Sequence, residues 1–481
     1  MFTMKKTLIS LCLYFLLVCS AVAQANNLGS HFADDLKCSK CNVIFLDIDL
    51  LRADFVGAVN GTKKIAPNIN DFFGESIRFG DVSSASGVTA ISNTATLTGR
   101  DGFFTYSLLK NTYVDTPPQM PHKFGRLYSG TPTIAEILKK NGYRTVNVNH
   151  GYYAGKQMLL NRGFDTYWGT GEVDSPTNIP GHAIQKTAEF IKELSKSNDP
   201  YFILLRSEDL RGLPYRYPAN RGKYEDPRIE YRKIDNTHFD IIYQLRSDGK
   251  PTVDFPHYPR ADWLSKSQLS EYEQLSKKLY AQQLKYVDEE LGNLFEILKN
   301  SKTLDRTLVI LYSNHGDGLY DNRIPNHGVS YQSCISVPLM IRHPKVHSPV
   351  LIDSAVALID LVPTVYQMLG IPSQNASEGI GLVDFIGARS PFPQRLFFGV
   401  DRESQYVRRG NMKLIAWADR SLELYDLAND PGEKNNLKEL QPNLAAELDE
   451  ILSEHEMSSL DQALKLLLSD KRLGTWRGNS D

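Results

Sequence analysis

Several things are scarce in this chain. It has no charge excess: 54 Lys and Arg against 56 Asp and Glu leave a formal net charge of −2. That gives no reason to expect nucleic acid or an anionic membrane as partner. Only five residues in 481 are cysteine, and two of them, Cys12 and Cys19, fall in an N-terminal apolar run. Cys38 and Cys41 of "KCSKC" could close a small disulfide in an oxidising compartment. A metal reading of that CxxC lacks a second CxxC or a His pair. Cys334 is left over and is expected to be buried. There is no internal repeat, no low-complexity tract and no second long apolar run.

The one long apolar run is "TLISLCLYFLLVCSAVA" after Lys5 and Lys6, and Ala21-Val22-Ala23 forms a small-residue cleavage site before Gln24. Residues 1–23 thus read as a signal peptide, and the mature chain as secreted or periplasmic with no stable transmembrane anchor. The run is short for a membrane span, and bulky Val18 argues against lipid attachment at Cys19. The remaining composition, 41% hydrophobic and 23% charged, is ordinary for one large α/β domain with an appendage, or for two domains.

Apolar runs alternate with helical patterns, the mark of a parallel sheet between helices. "NVIFLDIDLL" (42–51) is nearly continuous in apolar residues, as a strand covered on both faces should be. "PTIAEILKKNGYRTVNVNH" (132–150) reads as a helix closed by Asn141-Gly142 and then a strand. Further strands are expected at 200–209, 306–316, 336–344 and 395–401, and a long helix over 270–300. The stretch 210–265, rich in Arg, Tyr, Pro and Asp, is long for a connection, so it is either a lid or substrate loop or a solvated surface excursion. Its Arg211, Arg216, Arg221 and Lys223 could receive an acidic substrate.

Reactive groups of such sheets collect at the carboxyl ends of strands. "FLDID" puts Asp47 and Asp49 on one face, and "YSNHGDG" ends another strand with Asn314, His315 and Asp317. A carboxylate, an amide oxygen and an imidazole can together hold a divalent cation. The third element is "TAISNTATLTGR" (89–100). A Thr at a helix start is usually a cap, yet the same place offers a hydroxyl beside N–H groups that favour an oxyanion.

Taken in order, these segments resemble the sulfatase family of the alkaline phosphatase superfamily. "IDLLRADFVG" is similar to the family's opening metal-binding strand, "LTGR" to the end of its nucleophile helix, and "SNHGDG" to its Ser-Asp-His-Gly. "PTIAEILKKNGYRT", "RGFDTYWG", "LKYVDEELG", "LIDLVPTVYQMLGIP" and "ELYDLANDPGEKNNL" follow in family order, so the likeness runs from about 42 to 440. The resemblance implies an α/β fold of the alkaline phosphatase type, a large mostly parallel sheet sandwiched by helices with a small C-terminal α+β domain. The domains would span 40–385, with the 210–265 loop inside, and 386–481 with a helical tail. It also implies one divalent metal ion (Zn, Mn, Ca or Mg) held by Asp49, Asn314, His315 and Thr89, with Asp47 orienting a ligand.

The motif departs from the family at several points. Sulfatases carry a Cys or Ser, oxidised to formylglycine, where this chain has Thr89, and Ile91 and Asn93 replace the Pro and Arg that guide the oxidation. No formylglycine is therefore expected, and elimination from its hydrate is not open to this chain. Asn314 replaces an Asp ligand, Arg211 stands near an expected His, and His150 lies where the family has Lys-Trp-His. Phosphoryl-transferring members of the superfamily use an unmodified Thr, and His327 stands where those enzymes place a histidine for substrate or a second metal. The expectation is a metal-dependent hydrolase or transferase of sulfate or phosphate esters, with Thr89 as nucleophile and His327 and His150 assisting. Its substrate would be a small anionic ester or a sulfated or phosphorylated glycan or lipid headgroup. The alternative is a degenerate relative that binds such anions without turnover.

Overall fold

The computed structural model describes residues 32–57, 59–60, 63–111, 127, 130–151, 155–169, 181–210, 229–233, 239–243, 261–372, 377–387 and 390–469. Residues 1–23, expected to be an export signal, lie outside the described residues, as do Arg211, Arg216, Arg221 and Lys223. Of the 210–265 excursion, Ile229–Lys233 and Phe239–Tyr243 pair as a short antiparallel ladder.

Among the described residues the main sheet has eight strands: β1 (Asn42–Ile48), β2 (Ile77–Phe79), β3 (Arg144–Asn149), β4 (Thr166–Gly169), β5 (Tyr201–Ser207), β6 (Thr307–Tyr312), β7 (Leu339–Arg342) and β8 (Val350–Ile352). They lie in the order β8-β2-β7-β6-β1-β5-β3-β4. The sheet is mostly parallel, as the sequence suggested; β7 alone runs against its neighbours β6 and β2. β1 is central, with every residue buried. Its odd positions Val43 and Phe45 enter one apolar cluster and its even positions Ile44, Leu46 and Ile48 the other. This double burial is why the strand reads as a continuous apolar run.

Helices cover both faces. On the Phe45 face lie α1 (Thr89–Thr98), α2 (Ile134–Lys140) and a later helix over Leu361–Leu369; on the Leu46 face lie α3 (His182–Leu194) and α4 (Lys266–Asn300). α2 begins with a capping box between Thr133 and Glu136, and Gly142, at φ +84°, takes the chain out of it. α4 opens with the same device at Ser265 and Gln268 and buries a stripe including Leu284, Val287, Leu291, Leu294 and Leu298.

The C-terminal part is an antiparallel meander of β9 (Leu396–Val400), β10 (Ser404–Arg409), β11 (Met412–Trp417) and β12 (Leu422–Asp426), followed by the helix Pro442–Ser469. It packs on the main domain rather than hanging from it. Tyr406 and Ile415 share a cluster with Val329, Tyr331 and Ile335, and the Tyr406 hydroxyl donates to the Ser84 carbonyl at 2.8 Å. Cys38 and Cys41 form a disulfide, and Cys334 is a buried thiol.

Candidate active site

The β-ladder places a row of polar residues at the carboxyl ends of four neighbouring strands. In register, Tyr312 of β6, Asp47 of β1, Arg206 of β5 and Asn149 of β3 sit side by side. In-register residues of a parallel sheet share a face, here the one that α1 covers. Asp49 follows on the same face two residues past Asp47, and Asn314 two residues past Tyr312.

Thr89 is the first residue of α1, whose ten residues are all buried. The capping position belongs to Val88, and the helix has no side-chain cap. The Thr89 hydroxyl reaches His315 Nε2 at 2.9 Å. His315 Nδ1 lies 2.9 Å from the Gly316 carbonyl, which can only accept, so Nδ1 carries a proton. In the neutral ring Nε2 is then the acceptor and Thr89 the donor. His315 Nε2 also lies 3.6 Å from Asp49 Oδ1. The His327 ring stacks on His315 at 4.7 Å between centroids, with its Nδ1 3.6 Å from Asp317 Oδ1.

The turn before α1 is fixed from two directions. Ser84 and Ser92 both donate to the Asn314 carbonyl, tying the helix to the end of β6. Buried Asp401, from the C-terminal domain, accepts from the Gly87 N–H at 2.6 Å and from the Ser86 and Ser330 hydroxyls at 2.8 Å each. Burial raises the Asp401 carboxyl, and these hydrogen bonds oppose that shift.

Behind Asp49 lies Arg206, whose side chain is 1% exposed. Its Nη2 is 3.3 Å from Asp49 Oδ1, its Nε 3.5 Å from Asp47 Oδ2, and its Nη1 2.7 Å from Glu208 Oε1. Burial disfavours the charged guanidinium, but Asp49, Glu208 and Asp47 outweigh it and the pKa is raised. Burial lifts Asp47 to about 7, Arg206 pulling it down and Asp49 pushing it further up. We take the ionised guanidinium as the firm member of this group, since arginine stays protonated in proteins.

The structure thus brings Thr89, His315, Asp49 and His327 into one chain of contacts, with Asp47 touching Arg206 and the Asn314 N–H. His150 joins only through Arg206, which donates to its carbonyl at 3.2 Å. Its ring, buried, lies 3.8 Å from Asp209. Burial raises the Asp209 carboxyl, the nearby His150 drawing it back down. Asn314 takes its place mainly through its backbone. Its amide Oδ1 and Nδ2 are buried with no hydrogen-bond partner among the described residues.

Sequence reasoning passed over Arg206. Its signal was present: a lone Arg inside "YFILLRS", a strand buried on both faces, must find carboxylates. Asp401 left no such mark, because nothing in the sequence brings residue 401 to residue 87.

A divalent cation is what the sulfatase resemblance implies here, and these residues fit one poorly. The Asp49 oxygen that faces His315 also faces the Arg206 guanidinium, and His315 Nε2 already receives the Thr89 hydroxyl.

The family model for sulfatases matches residues 41–371. The choline-sulfatase of Rhizobium meliloti (strain 1021) is 24% identical over 389 residues, covering 72% of each chain. A phosphonate monoester hydrolase from Silicibacter pomeroyi superposes with a TM-score of 0.64 at 19% identity, over 88% of this chain and 96% of that one. A structure solved with its substrate D-glucosamine-2-N,6-O-disulfate gives 0.62 at 17% identity, over 88% and 98%. The class that fold and relatives define is an ester-hydrolysing enzyme. This chain belongs to the sulfatase family.

Proposed function

We propose that this protein hydrolyses a sulfate or phosphate ester, with Thr89 as an unmodified nucleophile and His315 as its general base. One observation carries the reading: the Thr89 hydroxyl donates to His315 Nε2, left as the accepting nitrogen because Nδ1 is tethered to the Gly316 carbonyl. A hydroxyl is a weak nucleophile until an adjacent base takes its proton, and this pair has the reach that such a transfer needs. Thr89 also heads a ten-residue helix, whose N-terminal dipole favours the anion under attack.

In this scheme Thr89 Oγ1 bonds to sulfur or phosphorus as its proton passes to His315 Nε2. The bond to the leaving alkoxide breaks, and the alkoxide takes a proton from His327. Water then attacks the Thr ester, returning one proton to His327, and the Thr89 oxygen regains its proton from His315. No step passes through a metal. His327 suits the second role because it stacks on His315 and, at 27% side-chain exposure, meets solvent. His150 is assigned to the substrate side.

The ester is a small anion or the sulfated or phosphorylated part of a glycan or lipid headgroup. The choline-sulfatase, the phosphonate monoester hydrolase and the disulfated-glucosamine complex among the relatives support that range. Export to the periplasm or medium is part of the proposal, on the strength of residues 1–23; no helix among the described residues is long and apolar enough to cross a membrane.

The test is a screen of sulfate monoesters, phosphate monoesters and phosphodiesters with the wild type, Thr89→Ala and Thr89→Ser. Thr89→Ala should lose turnover, and Thr89→Ser should keep a measurable part of it. Thr89→Ala equal to wild type would reduce Thr89 to a packing residue. A wild type inactive on every ester would favour the second reading, an anion-binding relative without turnover, which Asn314 at a family Asp position supports.

A further inference from the structure

We infer that the Arg206 guanidinium stands in place of the family's divalent cation, so that this centre holds its carboxylates together without a resident metal. The inference goes beyond the proposed function, and it holds whether or not Thr89 turns over.

The first support is placement. Arg206 pairs in register with Asp47, on the strand next to β1, so its side chain leaves the sheet on the face where Asp47 and Asp49 emerge. No rearrangement is needed to bring it there. The second is contact. One planar fork touches Asp49, Asp47 and Glu208 at 3.3, 3.5 and 2.7 Å, and donates to the His150 carbonyl as well. Partners on several sides leave the guanidinium no route to swing away, and its burial leaves no solvent to receive it.

The third support is the donor set itself. A dication beside Thr89 would need Asp49 as its anionic ligand. That oxygen already answers Arg206, and a dication there would lie next to a fixed like charge. The other candidate ligands are a neutral amide, a neutral imidazole engaged with Thr89, and a hydroxyl. The fork hydrogen-bonds Glu208 and holds Asp49 and Asp47 as ion-pair neighbours, and unlike a lysine it stays protonated when buried.

The test reads metal content and thermal stability rather than turnover. The purified mature protein is incubated with Ca, Mg, Mn or Zn, desalted and measured by elemental analysis, and its Tm is followed with and without EDTA. The wild type should retain less than about a tenth of an equivalent of any metal, with a Tm indifferent to EDTA and to added cation. Arg206→Lys, which keeps one positive charge, should behave likewise. Arg206→Met leaves Asp47, Asp49 and Glu208 without their cation, so it should take up about one equivalent and show a Tm that rises with metal concentration.

A wild type that keeps close to one equivalent, or whose Tm drops in EDTA, overturns the inference. So does an Arg206→Met protein that folds, by circular dichroism, and still takes up no metal. Should Arg206→Met fail to fold, the wild-type and Arg206→Lys measurements decide. A wild type inactive on every ester sinks the proposed function and leaves this result standing.

Discussion

Lys413 and Glu433 form an ion pair at 2.7 Å with side chains 0% and 1% exposed, and breaking it should be felt at the active centre. Lys413 Nζ also donates to the Ser330 carbonyl and to Gln332 Oε1, and Glu433 Oε2 accepts the Gln332 N–H at 2.6 Å. The pair therefore fastens residues 330–332 to β11. Ser330 in turn donates to Asp401, which holds Gly87 and Ser86 just before Thr89. Burial raises the Glu433 carboxyl and lowers the Lys413 ammonium, and each is pulled back by the other. Lys413→Met leaves Glu433 as a lone buried charge, a change that costs about 3–5 kcal/mol where neither group can reach water. Against a total stability of about 5–15 kcal/mol, that is a large share.

Adding Glu433→Gln removes the stranded charge and should recover a good part of the loss, since a buried pair gains little over neutral replacements. The assay is equilibrium urea unfolding followed by circular dichroism, with kcat measured on the folded variants. If Lys413→Met lowers stability by less than about 1 kcal/mol, the pair is hydrated in solution and the argument from burial fails. If the double variant is no better than the single, the cost lies in the lost Ser330 and Gln332 contacts instead.

Three other outcomes follow from the same geometry. Asp401→Asn keeps the shape but weakens the hold on Gly87, Ser86 and Ser330, so kcat should fall about tenfold, a loss of about 1.4 kcal/mol, with Tm changed by only a few degrees. An unchanged kcat would remove Asp401 from the positioning of Thr89. His315→Gln should abolish turnover without unfolding the chain, because an amide cannot take the Thr89 proton; full activity would exclude His315 as base. His343 is held down at about 4, chiefly by burial, against 6.5 in the unfolded chain, its Nε2–H given to the Leu36 carbonyl and its Nδ1 receiving the Lys345 N–H. Between pH 6.5 and 4 the unfolded chain therefore binds a proton that the folded one refuses. Stability from this residue falls as pH drops through that window, by up to about 3 kcal/mol. Urea midpoints at pH 7.5 and 4.5 should differ less in His343→Gln than in the wild type, and an equal difference would refute the assignment.

The sequence by itself determined the sheet and much of its order of parts. "NVIFLDIDLL" announces a doubly covered central strand because its apolar run has no polar face, and β1 is that strand. The period of two within "FLDID" put Asp47 and Asp49 on one face, and the ordered series of motifs named the family before any contact was known. Local rules reached α2 and α4 as well, whose capping boxes lie within a few residues of their ends.

Tertiary structure decided what the polar strand ends do with one another. Periodicity says which way a side chain points along its own strand, but it contains nothing about which strand lies beside it. Only the register of β5 on β1 sets Arg206 against Asp47, bringing its guanidinium within 3.5 Å of Asp47 and 3.3 Å of Asp49 beside the residues expected to hold a cation. Only the approach of β6 to α1 gives the Thr89 hydroxyl to His315 instead of to a helix cap, across 226 residues of chain. Local sequence governs dihedral preference and amphipathic pattern, which act over a few residues. A charge buried in the interior is satisfied by whatever the fold brings within a few ångströms, and that pairing is a property of the folded chain alone.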